Sequence, residues 1–254
     1  MRLKRKLKQL VEHLTNTHIY HALPRGIDVA YDIENSLPMY CIGVVFDVGA
    51  NVGQSAKYFL DHFPRSQIYC FEPVSDTFRK LQDNLNGSDR IHCFQLALGS
   101  SKGKEEMVLQ GNSSMFFLSG KSKESPLNED VMTEEVDMIT LDEFCRARKI
   151  EKINYLKIDT EGGDLDVLIG GENMLKEQRI DLVEVEAGMN PSNKRHVPFE
   201  ALKDYLESRG YYLFGIYEQV PEWSTKEANL RRSNPVFISR RMVKKDIHLT
   251  KSNA

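Results

Sequence analysis

Several features that would classify the chain quickly are missing. Its longest apolar runs are strand-sized, so none is long enough to span a bilayer as a helix. Net charge is only -3 over 254 residues, which gives no reason to expect nucleic acid as a partner. Cysteine occurs four times, at Cys41, Cys70, Cys93 and Cys145, without C-x-x-C spacing. Three of these lie in or beside strand-like apolar runs, so all four read as reduced, buried thiols of a cytoplasmic protein. The 7 histidines have no metal-ligand spacing, and no metal is expected. Neither a G-x-S-x-G elbow nor a P-loop is present.

What the chain does contain is an ordinary globular composition, 41% hydrophobic and 28% charged, long enough for one sizeable core. The expected layout is a basic helix and lead-in over 1–40, one α/β domain over 41–242 and a tail over 243–254. Met1-Arg-Leu-Lys-Arg-Lys-Leu-Lys8 lacks the apolar core of a secretory signal. With Leu7, Leu10, Val11 and Leu14 it forms a basic amphipathic helix. The favoured reading packs that Leu stripe on the domain. An anionic membrane surface or a partner protein is the alternative.

The organising stretch is Val44-Val-Phe-Asp47-Val-Gly49-Ala50-Asn51-Val-Gly53. A buried-strand run ends in an acid, a Gly-rich turn follows, and then a helical pattern begins. Its G-x-x-x-G spacing differs from the dinucleotide fingerprint G-x-G-x-x-G, and the acid at its mouth suits a cationic ligand such as S-adenosylmethionine. Downstream, strands are expected at about 42–48, 67–72, 91–96, 153–159, 180–186, 211–217 and 235–239, the last pair antiparallel. Helices at about 53–63, 75–85, 140–149 and 197–209 separate them, with Ser75 and Thr140 as N-caps, as does one that starts at Gly162 and puts Leu165, Leu168, Ile169 and Leu175 on one side. The alternation predicts a parallel sheet with right-handed crossovers. Two extended pieces, 104–110 and 131–139, bracket a polar loop and read as a β-hairpin inserted over the mouth of the sheet.

Asp47, Glu72, Asp159 and Glu186 all fall at the C-terminal ends of expected parallel strands, the edge where open α/β sheets bind ligands. Glu72, followed by Pro73, suits the hydroxyls of a ribose, and Ala97 sits where an adenine edge would lie. Asp159 and Glu161 should face the crevice opposite Gly49, able to orient a sulfonium, hold a metal or take a proton from a hydroxyl. Glu161 is equally a cap for the following helix. Glu184 and Glu186 share one face of a covered strand, so they must be paired or line a cavity. His196 and Trp223 lie in loops and could touch an acceptor, but the favoured reading makes each a surface loop residue.

Phe46-Asp47-Val-Gly49-Ala-Asn51-Val-Gly53-Gln54, Phe71-Glu72-Pro73, Thr140-Leu-Asp142 and Leu156-Lys157-Ile-Asp159-Thr-Glu161-Gly162 resemble the FkbM-type S-adenosylmethionine-dependent methyltransferases. The resemblance covers roughly 42–240 and extends to the lead-in Leu23-Pro24-Arg25-Gly26-Ile27-Asp28. It implies a Rossmann-like class I fold, a mostly parallel seven-stranded sheet with its last strand antiparallel. It also implies O-methylation of a sugar, glycan or natural-product hydroxyl. Asp47, Gly49, Asn51 and Gly53 would then hold the methionine part of the cofactor, Glu72 the ribose, and Ser114 would lie near it. Asp159, Glu161 and Glu186 are the candidate bases. A nicotinamide-dependent oxidoreductase and a non-catalytic adaptor are the competing readings. The acceptor, a small molecule or glycan rather than nucleic acid, would be selected by 104–139, 187–200 and 218–234.

Overall fold

The computed structural model describes residues 2–20, 22–109, 116–118 and 132–244. Helices α1 (Arg2–Thr15) and α2 (Val29–Ser36) precede a βαβαβ run. That run is β1 (Val44–Val48), α3 (Gln54–His62), β2 (Gln67–Phe71), α4 (Ser75–Leu85) and β3 (Ile91–Phe94). Next come β4 (Ala97–Leu98), β5 (Gly103–Leu109), β6 (Phe117–Leu118), β7 (Met132–Ile139) and α5 (Leu141–Arg148). The chain continues through β8 (Ile153–Ile158), α6 (Asp164–Gly170), α7 (Glu172–Lys176), β9 (Ile180–Val185) and β10 (Ala187–Gly188). It finishes with α8 (Phe199–Glu207), β11 (Tyr211–Pro221) and β12 (Leu230–Ser239).

The main sheet runs β3-β2-β1-β8-β9-β12-β11, parallel from β3 to β9, with β12 antiparallel to both of its neighbours. These are the seven strands expected, with the C-terminal one reversed. The short β10 is an addition, continuing the line of β9 along β12 beyond Glu186. Both faces are covered, which explains the near-continuous apolar strands. Phe46, Val48, Leu156, Ile158, Val183 and Val185 pack on one side. Val45, Ile68, Cys70, Tyr155 and Leu182 pack on the other. Strand order reverses at β1, between β2 and β8, and the ligand crevice of such sheets opens there.

The inserted hairpin forms, with β5 antiparallel to β7, and is part of a four-stranded sheet with β4 and β6. The polar loop between its strands, Ser114 included, lies outside the described residues except for 116–118. Thr140 caps α5 as expected, its Oγ accepting from the Glu143 N–H at 3.1 Å. Ser75 does not cap α4. Val74 holds the cap position, while the Ser75 N–H and hydroxyl both donate to Glu134 of β7. The single helix expected from Gly162 through Leu175 is broken at Gly170-Gly171, where the chain runs against Gly99 and Leu141 so closely that a Cβ on Gly170 would lie 2.0 Å from the Gly99 carbonyl. Cys70 and Cys145 are buried, but Cys93 is only half-buried and Cys41 exposed, so burial does not hold for all four thiols.

The N-terminus also departs from expectation. Leu10, Val11 and Leu14 are 55%, 37% and 73% exposed, so the stripe of α1 does not pack on the domain. The lead-in that follows does pack. Ala30, Ile33 and Leu37 enter the core, and Asp32 accepts hydrogen bonds from the Gly26 N–H and the Tyr217 hydroxyl of β11.

Candidate functional site

β1 delivers the chain into its turn at Gly49, whose φ of +82° disfavours a side chain. A Cβ there would stand 1.9 Å from the Asp159 carbonyl, so the turn lies directly against the end of β8. The Gly49 and Ala50 N–H groups both donate to the Phe71 carbonyl, at 3.0 and 2.9 Å. Asn51 and Gly53 also take positive φ, and Gly53 forms the N-cap of α3. Backbone hydrogen bonds set the start of this turn, and the Asn84 side chain donates to the Val52 carbonyl at 2.9 Å. Glu72 joins it, accepting from the Asn51 N–H at 3.1 Å and the Val74 N–H at 3.0 Å. Burial nevertheless pushes its carboxyl up to about 7, because those two donors only partly replace water.

Beneath the turn a buried polar row crosses the sheet in register: Cys93, Cys70, Asp47, Lys157 and Glu184. Asp47 is fully buried, neither of its oxygens has a hydrogen bond, and its carboxyl is pushed up to about 6 by burial. Its counter-charge is the Lys157 ammonium, 4.0 Å away, which also donates to Asp159 at 2.8 Å. Burial opposes the lysine's charge, but Asp159, Asp47 and Glu184 together hold its pKa above the ordinary lysine value. Glu184 is bonded by Asn234 and by the Tyr155 hydroxyl.

On the other side of the crevice, Asp159, Glu161 and Glu186 converge. Burial works against the charge of Asp159, yet Lys157 holds it below the usual carboxylate range. Glu161 sits in the left-handed region at φ +53° and faces away from the α6 cap, which is Gly163. Its Oε2 instead meets Arg195 Nε at 2.5 Å and His196 Nε2 at 3.3 Å. Glu186 meets the same His196 nitrogen at 2.9 Å and Arg232 at 2.7 Å. His196 is therefore buried, not a surface residue. Burial lowers its basicity, but the two glutamates raise its pKa to about 9. Burial, followed by the charge of Asp159, raises Glu186. Asp164 fastens the two strand ends, accepting from Thr160 on one oxygen and from the Glu186 N–H on the other.

Glu161, Glu186 and His196 offer ligand atoms within 4.8 Å of one another, a donor set a metal could use. Arg195 and Arg232 already neutralise those carboxylates, so the group stands as an ion-pair network.

One cleft of about 310 Å³ unites both sides. Gly49, Ala50, Asn51, Gln54, Glu72, Pro73 and Ala97 line it together with Asp159, Glu161 and Glu186. Met107 and Leu118 of the smaller sheet, with Phe116 just before β6, add an apolar wall. Asp47 and Gly53 do not reach this surface; they support the turn from below and behind. Trp223 is 68% exposed, with Arg231 stacked over its ring. Sequence reasoning missed Lys157, Arg195, His196 and Arg232. A signal existed for Lys157 alone, since a lysine inside a covered central strand requires a buried acid partner.

Residues 47–213 match the Methyltransferase FkbM domain. The 2-O-methyltransferase NoeI of Sinorhizobium fredii is 26% identical over 200 residues, covering 75% of this chain and 79% of that protein. Hexuronic acid methyltransferase AglP of Haloferax volcanii is 32% identical over 162 residues, 62% of each chain. Among solved structures, Aeropyrum pernix fibrillarin bound to S-adenosyl-L-methionine aligns over 91% of this chain and 74% of its own, at 12% identity and a TM-score of 0.43. The nicotinamide alternative falls with the family match. The acid-rich cleft beside a glycine turn, and the domain match spanning it, make this chain a member of the FkbM methyltransferase family and an S-adenosylmethionine-dependent methyltransferase.

Proposed function

We propose that the protein transfers a methyl group to a hydroxyl of a sugar, glycan or natural-product acceptor. The observation carrying this reading is the single cleft that has a glycine turn and Glu72 on one side and three carboxylates on the other. The names of NoeI and AglP, a 2-O-methyltransferase and a hexuronic acid methyltransferase, support a sugar hydroxyl. An acid-rich cleft is a poor seat for a phosphate backbone, which favours a small molecule or glycan over nucleic acid.

The residues fit the cofactor. Gly49, Ala50, Asn51 and Gln54 would hold its methionine part, with Asp47 and Gly53 supporting them. Glu72 and Pro73 would take the ribose, Ala97 would lie near the adenine, and Ser114 would approach from the loop outside the described residues. When bound, S-adenosylmethionine supplies a methyl group already activated on a sulfonium sulfur. The enzyme's task is then alignment of the hydroxyl oxygen with that carbon, and removal of one proton. Asp159 is the preferred base, because Lys157 keeps it ionised and part of its carboxylate is open to the cleft. Glu161 and Glu186, locked by Arg195, His196 and Arg232, would orient the acceptor. We assign this chemistry to 41–242, with 1–40 and 243–254 as appendages. We place it in the cytoplasm, for which four free cysteines are the support.

Calorimetric titration with S-adenosylmethionine and S-adenosylhomocysteine is the first test, and failure of both to bind would sink the reading. Turnover of a panel of uronic acids and deoxysugars with methyl-labelled cofactor tests the acceptor class. Asp159→Asn should abolish turnover while retaining cofactor binding.

A further inference from the structure

Most of the exposed large apolar side chains among the described residues lie before residue 40. Leu10, Val11 and Leu14 form the open stripe of α1, and Ile19, Tyr20 and Leu23 follow, all exposed. The segment after the helix folds back on it, because Glu12 accepts the Ile19 N–H at 2.8 Å. Ile19 and Tyr20 thus extend the apolar surface past the end of the helix. An open apolar stripe of this kind marks an interaction site.

Charge decides which partner fits. Arg2, Lys4, Arg5, Lys6 and Lys8 all precede the first acid, Glu12. The same helix therefore offers a cationic N-terminal half and an apolar stripe. Anionic headgroups above acyl chains match both at once, which few protein surfaces do. No described helix is long and apolar enough to cross a membrane, so the contact lies in the plane of the interface.

We propose that α1, with Ile19, Tyr20 and Leu23 after it, docks this protein on an anionic lipid bilayer. The docking goes beyond the methyl transfer and does not depend on it.

The test is sedimentation of the full chain with phosphatidylcholine vesicles, with and without phosphatidylglycerol, at low and high salt. Binding is expected only to the phosphatidylglycerol vesicles and should weaken steeply with salt. Leu10→Glu with Leu14→Glu should reduce it by about tenfold or more, as should Lys6→Glu with Lys8→Glu. S-adenosylhomocysteine affinity and the circular-dichroism melt should stay unchanged in both variants, which separates lost docking from lost folding. Failure of the unmodified chain to bind phosphatidylglycerol vesicles overturns the proposal. So does equal binding by the Leu variants. A concentration-dependent dimer that those variants abolish, without vesicle binding, would show that a second copy covers the stripe instead and also overturns it.

Discussion

The two halves of the cleft are built by different means. On the β1–β2 side the turn hangs on backbone hydrogen bonds, and Glu72 is held by two main-chain N–H groups. On the β8–β9 side the carboxylates are held by side chains from elsewhere: Lys157 below, Arg195 and His196 from one loop, Arg232 from β12. The first half is rigid by conformation and indifferent to pH in its geometry. The second is rigid only while its charges are in balance.

The largest test of this contrast lies where both halves meet. Lys157→Met would leave Asp47, Asp159 and Glu184 without their shared counter-ion, costing about 3–5 kcal/mol. Urea melts should show that loss, with partial recovery in acid as the carboxylates protonate. Gly49→Ala attacks the backbone side; the new methyl must displace the Asp159 carbonyl at unfavourable φ, for roughly 2–4 kcal/mol. Cofactor affinity should fall with it. An unchanged melt would mean that the turn is softer than its bonds imply.

Glu72→Gln should weaken cofactor binding by about 1–3 kcal/mol, read by calorimetry. It should not destabilise the free enzyme above neutrality. Glu72 has a folded pKa near 7, above its ordinary 4.5, so the stability tied to its protonated form is present below 4.5 and lost as pH rises through 7. In the opposite half, His196 titrates later. His196 has a folded pKa near 9 against an ordinary 6.5, so its contribution is complete below 6.5 and lost as pH rises through 9. Melting temperature against pH should therefore decline in two stages. Glu72→Gln should remove part of the lower one and His196→Gln the upper.

The smallest effect expected is kinetic. His196→Gln should lower kcat by about tenfold, near 1.4 kcal/mol, with cofactor affinity unchanged. Equal losses in both would place His196 in folding rather than acceptor positioning.

This contrast also explains what could be read from the sequence. Backbone-built parts leave a local signature: the glycine turn announces its own shape in G-x-x-x-G, and Thr140 caps an N–H three residues on, although Glu72 reaches the turn from 21 positions away. Side-chain-built parts do not. His196 meets Glu161 and Glu186 across 35 and 10 positions of chain, and nothing in Asn193-Lys-Arg195-His196 announces a buried network. Ser75 misled for a related reason: it has the chemistry of a cap, but Glu134 lies closer than the end of the helix needs it to be. The open stripe of α1 was legible only as the second of two readings, because sequence alone cannot say whether an apolar face packs on its own domain.

Gly49 carries one more consequence. The missing methyl lets the donor turn rest on the Asp159 peptide itself, with no side chain between them. Under the proposed roles, the turn beside the methyl donor and the backbone that bears the base share a common ruler, one peptide thick. Loops that would select the acceptor can then diverge without moving this backbone contact. A redesign that grafts new loops at 187–200 or 218–234 should leave that ruler untouched.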